Sequence, residues 1–154
     1  MNNKILLVGL GSIGFRHFEG ILAVKKKLII YIFDKNKNKY LKISNFLKNK
    51  KINHTIIFVK KISQIKNIDL LILASNSLNR LKILEKIIKN IKIKSILLEK
   101  VVFLDNRSFI KAIKLIKFHK INTWVNCVRR EVLFYNKIKK GLTKDLIKIQ
   151  FTGY

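Results

Sequence analysis

Three glycines near the start of the chain have the spacing of a phosphate-binding turn. Gly9, Gly11 and Gly14 directly follow an apolar run from Ile5 to Val8. This order predicts a buried strand, a tight turn and the start of a helix, which form the first half of a βαβ unit that binds a dinucleotide. The first glycine allows the sharp turn, the second lets the backbone approach a pyrophosphate, and the third lets the helix pack closely on the strand.

The residues between the glycines supply the backbone amides of this predicted site. Ser12 and Ile13 stand where the helix begins, and the first N–H groups of a helix have no partner within it. These groups lie at the positive end of the helix dipole, so they can bind phosphate oxygens. We therefore expect both residues to contact the cofactor through their main chain.

An acidic residue follows the second apolar run of the chain. Leu28 to Phe33 form that run, and Asp34 comes directly after it, 20 positions beyond Gly14. A carboxylate in this place accepts hydrogen bonds from a ribose diol and repels a 2′-phosphate, which favours NAD as the cofactor. Lys35 weakens that preference and leaves NADP as the alternative. A helix N-cap or a solvated loop acid is the other interpretation of Asp34.

The apolar runs alternate with amphipathic segments along the chain, a pattern typical of parallel α/β proteins. Right-handed crossovers then give a doubly wound, Rossmann-type parallel sheet with the strand order 3-2-1-4-5-6. The predicted strands cover residues 5–8, 28–33, 54–59, 69–74, 94–98 and 123–128, and the predicted helices cover residues 13–24, 37–50, 78–90 and 106–119.

Polar residues also follow the fourth and fifth predicted strands. Ser75 and Asn76 come after the fourth, and Glu99 and Lys100 end the fifth. Ligands of doubly wound sheets bind outside the carboxyl ends of the strands. These four residues are therefore expected at the same edge as the glycine turn.

A formal net charge of +26 raises the question of nucleic-acid binding. The lysines alternate with isoleucine along the predicted helices instead of clustering, and aromatic residues are not interleaved with them in a base-stacking pattern. A surplus of lysine, isoleucine and asparagine with no proline fits an A/T-rich codon bias. We expect salt-sensitive binding to polyanions but no specific nucleic-acid partner.

Several other classes of site are disfavoured by what the chain lacks. Cys127 is the single cysteine, which excludes a disulfide framework or a cysteine metal site, and three separated histidines offer no metal-ligand spacing. No apolar run reaches the roughly 18 residues of a membrane span. The apolar start is broken by glycines and lacks a cleavage site, unlike a signal peptide. We expect a cytoplasmic protein without a metal site or membrane contact.

With these residues in place, the chain resembles the glucose–fructose oxidoreductase/inositol 2-dehydrogenase/MocA family of NAD(P)-dependent oxidoreductases. The similarity covers essentially all 154 residues. The similarity is carried by Asp34 and by four segments, GLGSIGFRH at 9–17, DLLILASNSLNR at 69–80, LLEKVVF at 97–103 and VNCVRREVLFYNKIKKGL at 125–142.

The resemblance implies hydride exchange between a nicotinamide and a carbinol on a sugar, inositol or related small molecule. Ser75 and Asn76 would line the cofactor groove, and Glu99 and Lys100 would lie beside the nicotinamide and substrate. Lys100 is the expected catalytic residue, because a partly desolvated lysine can donate to the oxygen whose charge changes.

The chain departs from this family at two positions of the site. Val101 stands where the family has proline, and because a cis bond before a non-proline residue costs roughly 3 kcal/mol, we expect a trans peptide and a displaced Lys100. Arg80, or Asn79 with one residue of slack, replaces the usual histidine.

A third departure concerns the second domain. Residues 1–128 would form the dinucleotide-binding domain, and residues 129–154 only the first helix and the first strand (146–152) of a truncated α+β substrate domain. We therefore expect a dinucleotide-binding part of an oxidoreductase, incomplete and inactive alone. The alternatives are a non-catalytic nucleotide-binding or protein-interaction module, and half of a split enzyme. A separate C-terminal sheet domain or a second copy of the chain is the expected partner.

Overall fold

Strands and helices alternate along residues 3–127, which are the residues that the computed structural model describes. The strands are β1 Asn3–Val8, β2 Leu28–Phe33, β3 Thr55–Phe58, β4 Asn67–Leu73, β5 Lys92–Glu99 and β6 Asn122–Asn126. The helices are α1 Ser12–Leu22, α2 Asn38–Leu47, α3 Arg80–Asn90 and α4 Asn106–Phe118, with a short 3₁₀ helix at Ile62–Gln64. The helix predicted after the sixth strand and the strand predicted at 146–152 lie outside the described residues.

The strands form one parallel sheet in the order β3-β2-β1-β4-β5-β6. The predicted fold class and strand order are therefore confirmed. The chain reverses direction across the sheet between β1 and β4, which is the topological switch point where doubly wound sheets bind ligands. At this point Val8 pairs with Phe33 on one side and with Leu73 on the other. The loops after these three strands consequently start at the same level.

Both faces of the sheet are covered, which explains why its central strands read as continuous apolar runs. Leu6 and Val8 of β1 belong to one buried cluster, whereas Ile5 and Leu7 belong to the other. Neither Leu6 nor Leu7 has any exposed surface. Successive side chains of a strand point to opposite faces, so this strand joins the two cores and holds the glycine turn at a rigid point.

The third helix begins later than predicted, at Arg80 instead of position 78. Residues 75–79 form an irregular turn, and the Arg80 N–H donates to the carbonyl of Ser77 at 3.3 Å. Ser75 and Asn76 therefore stay outside the helix, next to the end of β1. Within residues 3–127, none of the helices has both the length and the apolar character needed to cross a membrane.

Candidate functional site

A cleft of about 310 Å³ opens at the carboxyl edge of the sheet, over the ends of β1, β2 and β4. This volume lies at the lower end of the range of small-molecule sites. The cleft is lined by Val8, Gly9, Gly11, Phe33, Asp34, Lys35, Lys39, Ala74, Ser75, Asn76, Asn79 and Ile83. The structure thus brings together six of the predicted cofactor-binding residues: Gly9, Gly11, Asp34, Lys35, Ser75 and Asn76.

Two of the three glycines are required by the fold itself. Gly9 has φ +94°, a conformation that side chains rarely adopt, and a Cβ there would lie 2.8 Å from the Ser75 nitrogen. A Cβ on Gly14 would lie 1.9 Å from the carbonyl oxygen of Gly9. The turn and the start of α1 can approach each other only because both residues lack a side chain.

Gly11 is different, because the protein's own packing does not require a glycine there. Its φ of −67° and ψ of −173° are open to any residue, and a Cβ would meet no atom within 4 Å. Gly11 precedes α1, which begins at Ser12 without a side-chain cap. Ser12 and Ile13 are exposed in the first turn of this helix. The backbone therefore presents an open surface and uncapped helix amides, an arrangement that suits an anion.

The carboxylate of Asp34 is held at the tip of β2 by three donors. Its Oδ2 accepts from the Leu10 N–H at 2.6 Å and from Lys39 Nζ at 3.0 Å, and its Oδ1 accepts from the Asn36 N–H at 2.8 Å. Burial alone would raise the pKa of Asp34, but the two backbone donors and the lysine together keep that pKa below its ordinary value of 3.8. Asp34 is thus an anion that fastens the glycine loop to the second strand.

The Ser75 hydroxyl lies beside the cleft without a partner of its own. Its Oγ is buried and makes no hydrogen bond within the described part of the chain. Buried hydroxyls are normally satisfied, so Ser75 carries an unpaired polar atom at the edge of the cleft. Asn76, the next residue, is exposed and also lines the cleft.

Glu99 does not line the cleft. Its Oε1 lies 2.6 Å from His17 Nε2 and accepts from Asn126 Nδ2 at 2.5 Å, and the residue is only 6% exposed. His17 comes from α1 and Asn126 from the end of β6, so the carboxylate joins three elements at the same edge of the sheet. Neither partner can be identified from the sequence, because the contacts cross 82 and 27 positions of the chain.

Arg80 is the second residue whose role the sequence did not reveal. The residue is 3% exposed, and its guanidinium donates to four main-chain carbonyls. Those carbonyls belong to Ser75, Glu99, Val101 and Val102. Burial lowers the pKa of Arg80, and the nearby Glu99 carboxylate opposes that shift. The one signal in the sequence is the expectation, from the family that the chain resembles, that Arg80 or Asn79 replaces a histidine.

The peptide bond between Lys100 and Val101 is cis, so the prediction of a trans bond is wrong. The prediction considered only the intrinsic preference of an isolated peptide bond. It omitted tertiary contacts, and here the carbonyls of Glu99 and Val101 both accept from the Arg80 guanidinium. Lys100 itself is exposed and lies outside the lining of the cleft.

No protein-family model matches the chain, and no curated protein matches it by sequence. Solved structures do match. myo-Inositol 2-dehydrogenase from Lactobacillus plantarum aligns with a TM-score of 0.71 and 18% identity, over 91% of this chain and 40% of that one. An NAD-binding protein from Listeria innocua aligns with a TM-score of 0.63 and 15% identity, over 81% and 34% of the two chains.

An oxidoreductase from Desulfitobacterium hafniense described as NADPH-dependent aligns with a TM-score of 0.73 and 12% identity, over 90% of this chain and 38% of that one. The chain therefore spans 34–40% of the length of these three structures. At sequence identities of 12–18%, structural similarity supports a conclusion about the fold alone. These alignments establish that the described residues have the Rossmann-type α/β architecture of the three structures.

Proposed function

We propose that this chain binds a nicotinamide dinucleotide and is the nucleotide-binding part of an oxidoreductase of the glucose–fructose oxidoreductase/inositol 2-dehydrogenase/MocA type. The observation that carries the proposal is the open backbone at Gly11, close to the anchored carboxylate of Asp34. The packing of the protein does not require a glycine at this position. The oxidoreductase structures of the same fold support it.

The cleft residues divide between the parts of the cofactor. The amides near Gly11, Ser12 and Ile13 would bind the pyrophosphate, and Asp34 would accept from the adenosine ribose. Ser75 and Asn76 would contact the nicotinamide half. NAD is the favoured cofactor because of the Asp34 charge, and NADP is the alternative because lysines flank that charge.

When bound, the nicotinamide would accept or supply a hydride. For the reacting carbinol, we propose Lys100 as the residue that donates to its oxygen, since an ammonium stabilises charge that develops there. The carboxylate of Glu99, one residue earlier, would hold the end of β5 in place through His17 and Asn126. Catalysis also needs a substrate held in near-attack geometry. Because the structures of the same fold are much longer, we expect the isolated chain to bind the cofactor without turnover.

The test is a titration with NADH, followed by nucleotide fluorescence and by the shift in Tm. Wild type should bind with a Kd in the micromolar range. Gly11→Ala should leave the Tm of the free protein unchanged, because the added Cβ meets no protein atom, and should weaken binding by about tenfold or more, equivalent to about 1.4 kcal/mol.

Gly20→Ala is the matched control for this titration. Gly20 is an exposed residue of α1 whose Cβ would also meet nothing within 4 Å, so its replacement should leave the Kd unchanged. Failure of wild type to bind either NADH or NADPH would refute the proposal. Equal affinities of Gly11→Ala and wild type would refute the placement of the pyrophosphate.

The outer edge of the sheet favours a second candidate, half of a split enzyme or an interaction module. Among the described residues, β6 is the last strand on this side of the sheet; its Trp124 is 57% exposed, and Phe118 at the end of α4 is 81% exposed. An exposed apolar edge of this kind is suited to a further protein domain. Restoration of activity on mixing with a separately produced sheet domain would support the split enzyme, and nucleotide binding with no activity restored by that mixing would support the module.

A further inference from the structure

The two loops that follow β4 and β5 are tied together by a single buried cation. Arg80 Nη2 donates to the carbonyl of Ser75 in the loop after β4. The two N–H groups of Nη1 are shared among three carbonyls in the segment that ends β5 and follows it, those of Glu99 at 2.5 Å, Val102 at 3.0 Å, and Val101.

These contacts are suited to arginine and to no smaller cation. The contacts are made by the four N–H groups on the two Nη atoms of a rigid plane, while Nε has no partner in the described residues; a lysine offers three N–H groups from one point and a histidine at most two. Four carbonyl acceptors from two loops converge on Arg80, which is 3% exposed, so water cannot replace most of these donors. The position of Ser75 therefore depends on the guanidinium.

Of the four residues whose carbonyls accept from Arg80, Ser75 is the one that lines the cleft. Its Oγ has no hydrogen-bond partner in the described residues, and its backbone nitrogen lies against the glycine turn, 2.8 Å from a Cβ built on Gly9. A shift of Ser75 would thus change the wall that faces the glycine turn.

We infer that Arg80 is a positioning residue for the nucleotide cleft: by binding the carbonyls of both loops, it sets the distance between the Ser75 wall and the glycine turn. The inference rests on the proposed dinucleotide binding. It adds a residue that lies outside the lining of the cleft and acts on the ligand only through Ser75.

The experiment compares NADH affinity among variants with similar losses of stability, each measured well below its own Tm. Arg80→Lys keeps the charge but cannot serve both loops, and its Kd should rise about tenfold. Leu84→Ala and Ile87→Val lie further along α3 at fully buried positions and lower the Tm by packing alone. Together they should bracket the Tm of Arg80→Lys, with Kd values within twofold of wild type.

Chemical rescue supplies a readout that general destabilisation would not move. Arg80→Ala leaves a space of guanidinium shape among the carbonyls, so millimolar methylguanidinium should restore much of its NADH affinity, and the same concentration of methylammonium should not. Wild type and Leu84→Ala should not respond to either ion. If Arg80→Ala does not fold, the comparison of Arg80→Lys with the packing variants decides the question.

Two results would overturn the inference while wild type binds NADH normally. One is an Arg80→Lys affinity within twofold of wild type. The other is an equal loss of affinity in the packing variants, which would reduce Arg80 to a general stabilising role. Absence of NADH binding by wild type would overturn the proposed function itself, and the inference with it.

Discussion

Replacement of Lys39 by methionine should increase the preference of the protein for NADH over NADPH. Lys39 lies in the first turn of α2, its side chain is 38% exposed, and its Nζ is 3.0 Å from Asp34 Oδ2. A carboxylate oxygen accepts about two hydrogen bonds. Oδ2 already accepts from Leu10 and Lys39, so the carboxylate has about one vacant site, on Oδ1, for the two hydroxyls of a ribose diol.

The same ammonium also lowers the repulsion that Asp34 would exert on a 2′-phosphate. The Lys39 side chain is partly exposed, and its ammonium can donate to a phosphate oxygen. A hydrogen bond to a charged group contributes about 1.5–3 kcal/mol, and partial exposure favours the lower end. Lys39→Met should therefore weaken NADPH binding by about tenfold, whereas NADH should bind unchanged or up to threefold more tightly, because Oδ2 regains a vacant site.

The assay is a pair of fluorescence titrations with NADH and NADPH on each variant. Lys48→Met is the control, because it removes the same charge at the other end of α2. At roughly 13 Å along the helix axis, this position lies beyond the Debye length at physiological salt. Lys39→Arg should retain NADPH binding. A ratio of the two Kd values that is the same in wild type and Lys39→Met would refute this reasoning.

Three further outcomes test the geometry of the site. Gly14→Ala should lower the free energy of unfolding by about 3 kcal/mol or more, because its Cβ would clash with the backbone of Gly9, and a urea midpoint equal to that of wild type would contradict this. The pKa of Asp34 is lowered in the folded protein, so its contribution to the free energy of unfolding should be complete above pH 3.8. That contribution should disappear as the pH falls through the lower folded pKa. In acid titrations followed by circular dichroism, the stability difference between wild type and Asp34→Asn should therefore shrink below pH 3.8. His17→Leu should cost about 1–3 kcal/mol in urea unfolding, because Glu99 loses one of its two partners, and a loss below about 0.5 kcal/mol would contradict the contact.

The strand order could be predicted because it follows from local patterns and a general rule of handedness. Apolar runs such as Leu28 to Phe33 are nearly identical in the prediction and the structure. Element ends were less accurate. The third helix begins at Arg80 because the residues before it form a turn, and no hydrophobic periodicity distinguishes that turn from a first helical turn.

The contacts around β5 could not be predicted, because each joins residues distant in sequence. Glu99 and Lys100 are neighbours in the chain, and the sequence predicts both as parts of one site. In the structure, Glu99 is buried against His17 and Asn126, whereas Lys100 is exposed. Which of two adjacent polar residues points inward depends on the register between strands, and that register depends on the whole sheet.

The sequence by itself determined the order of the sheet and the place of the cleft, because alternation of strands and helices puts every strand's carboxyl end at one edge. The sequence also indicated the glycine turn and Asp34 as site residues, because their spacing is that of a dinucleotide-binding βαβ unit. Only the tertiary structure decided how the charges are used. Lys39, in the first turn of α2, forms a salt bridge with Asp34, and Arg80 donates hydrogen bonds to carbonyls of two loops. Hydrogen bonds depend on ångström distances between groups that sequence spacing leaves undefined, so these pairings exist only once the chain has folded.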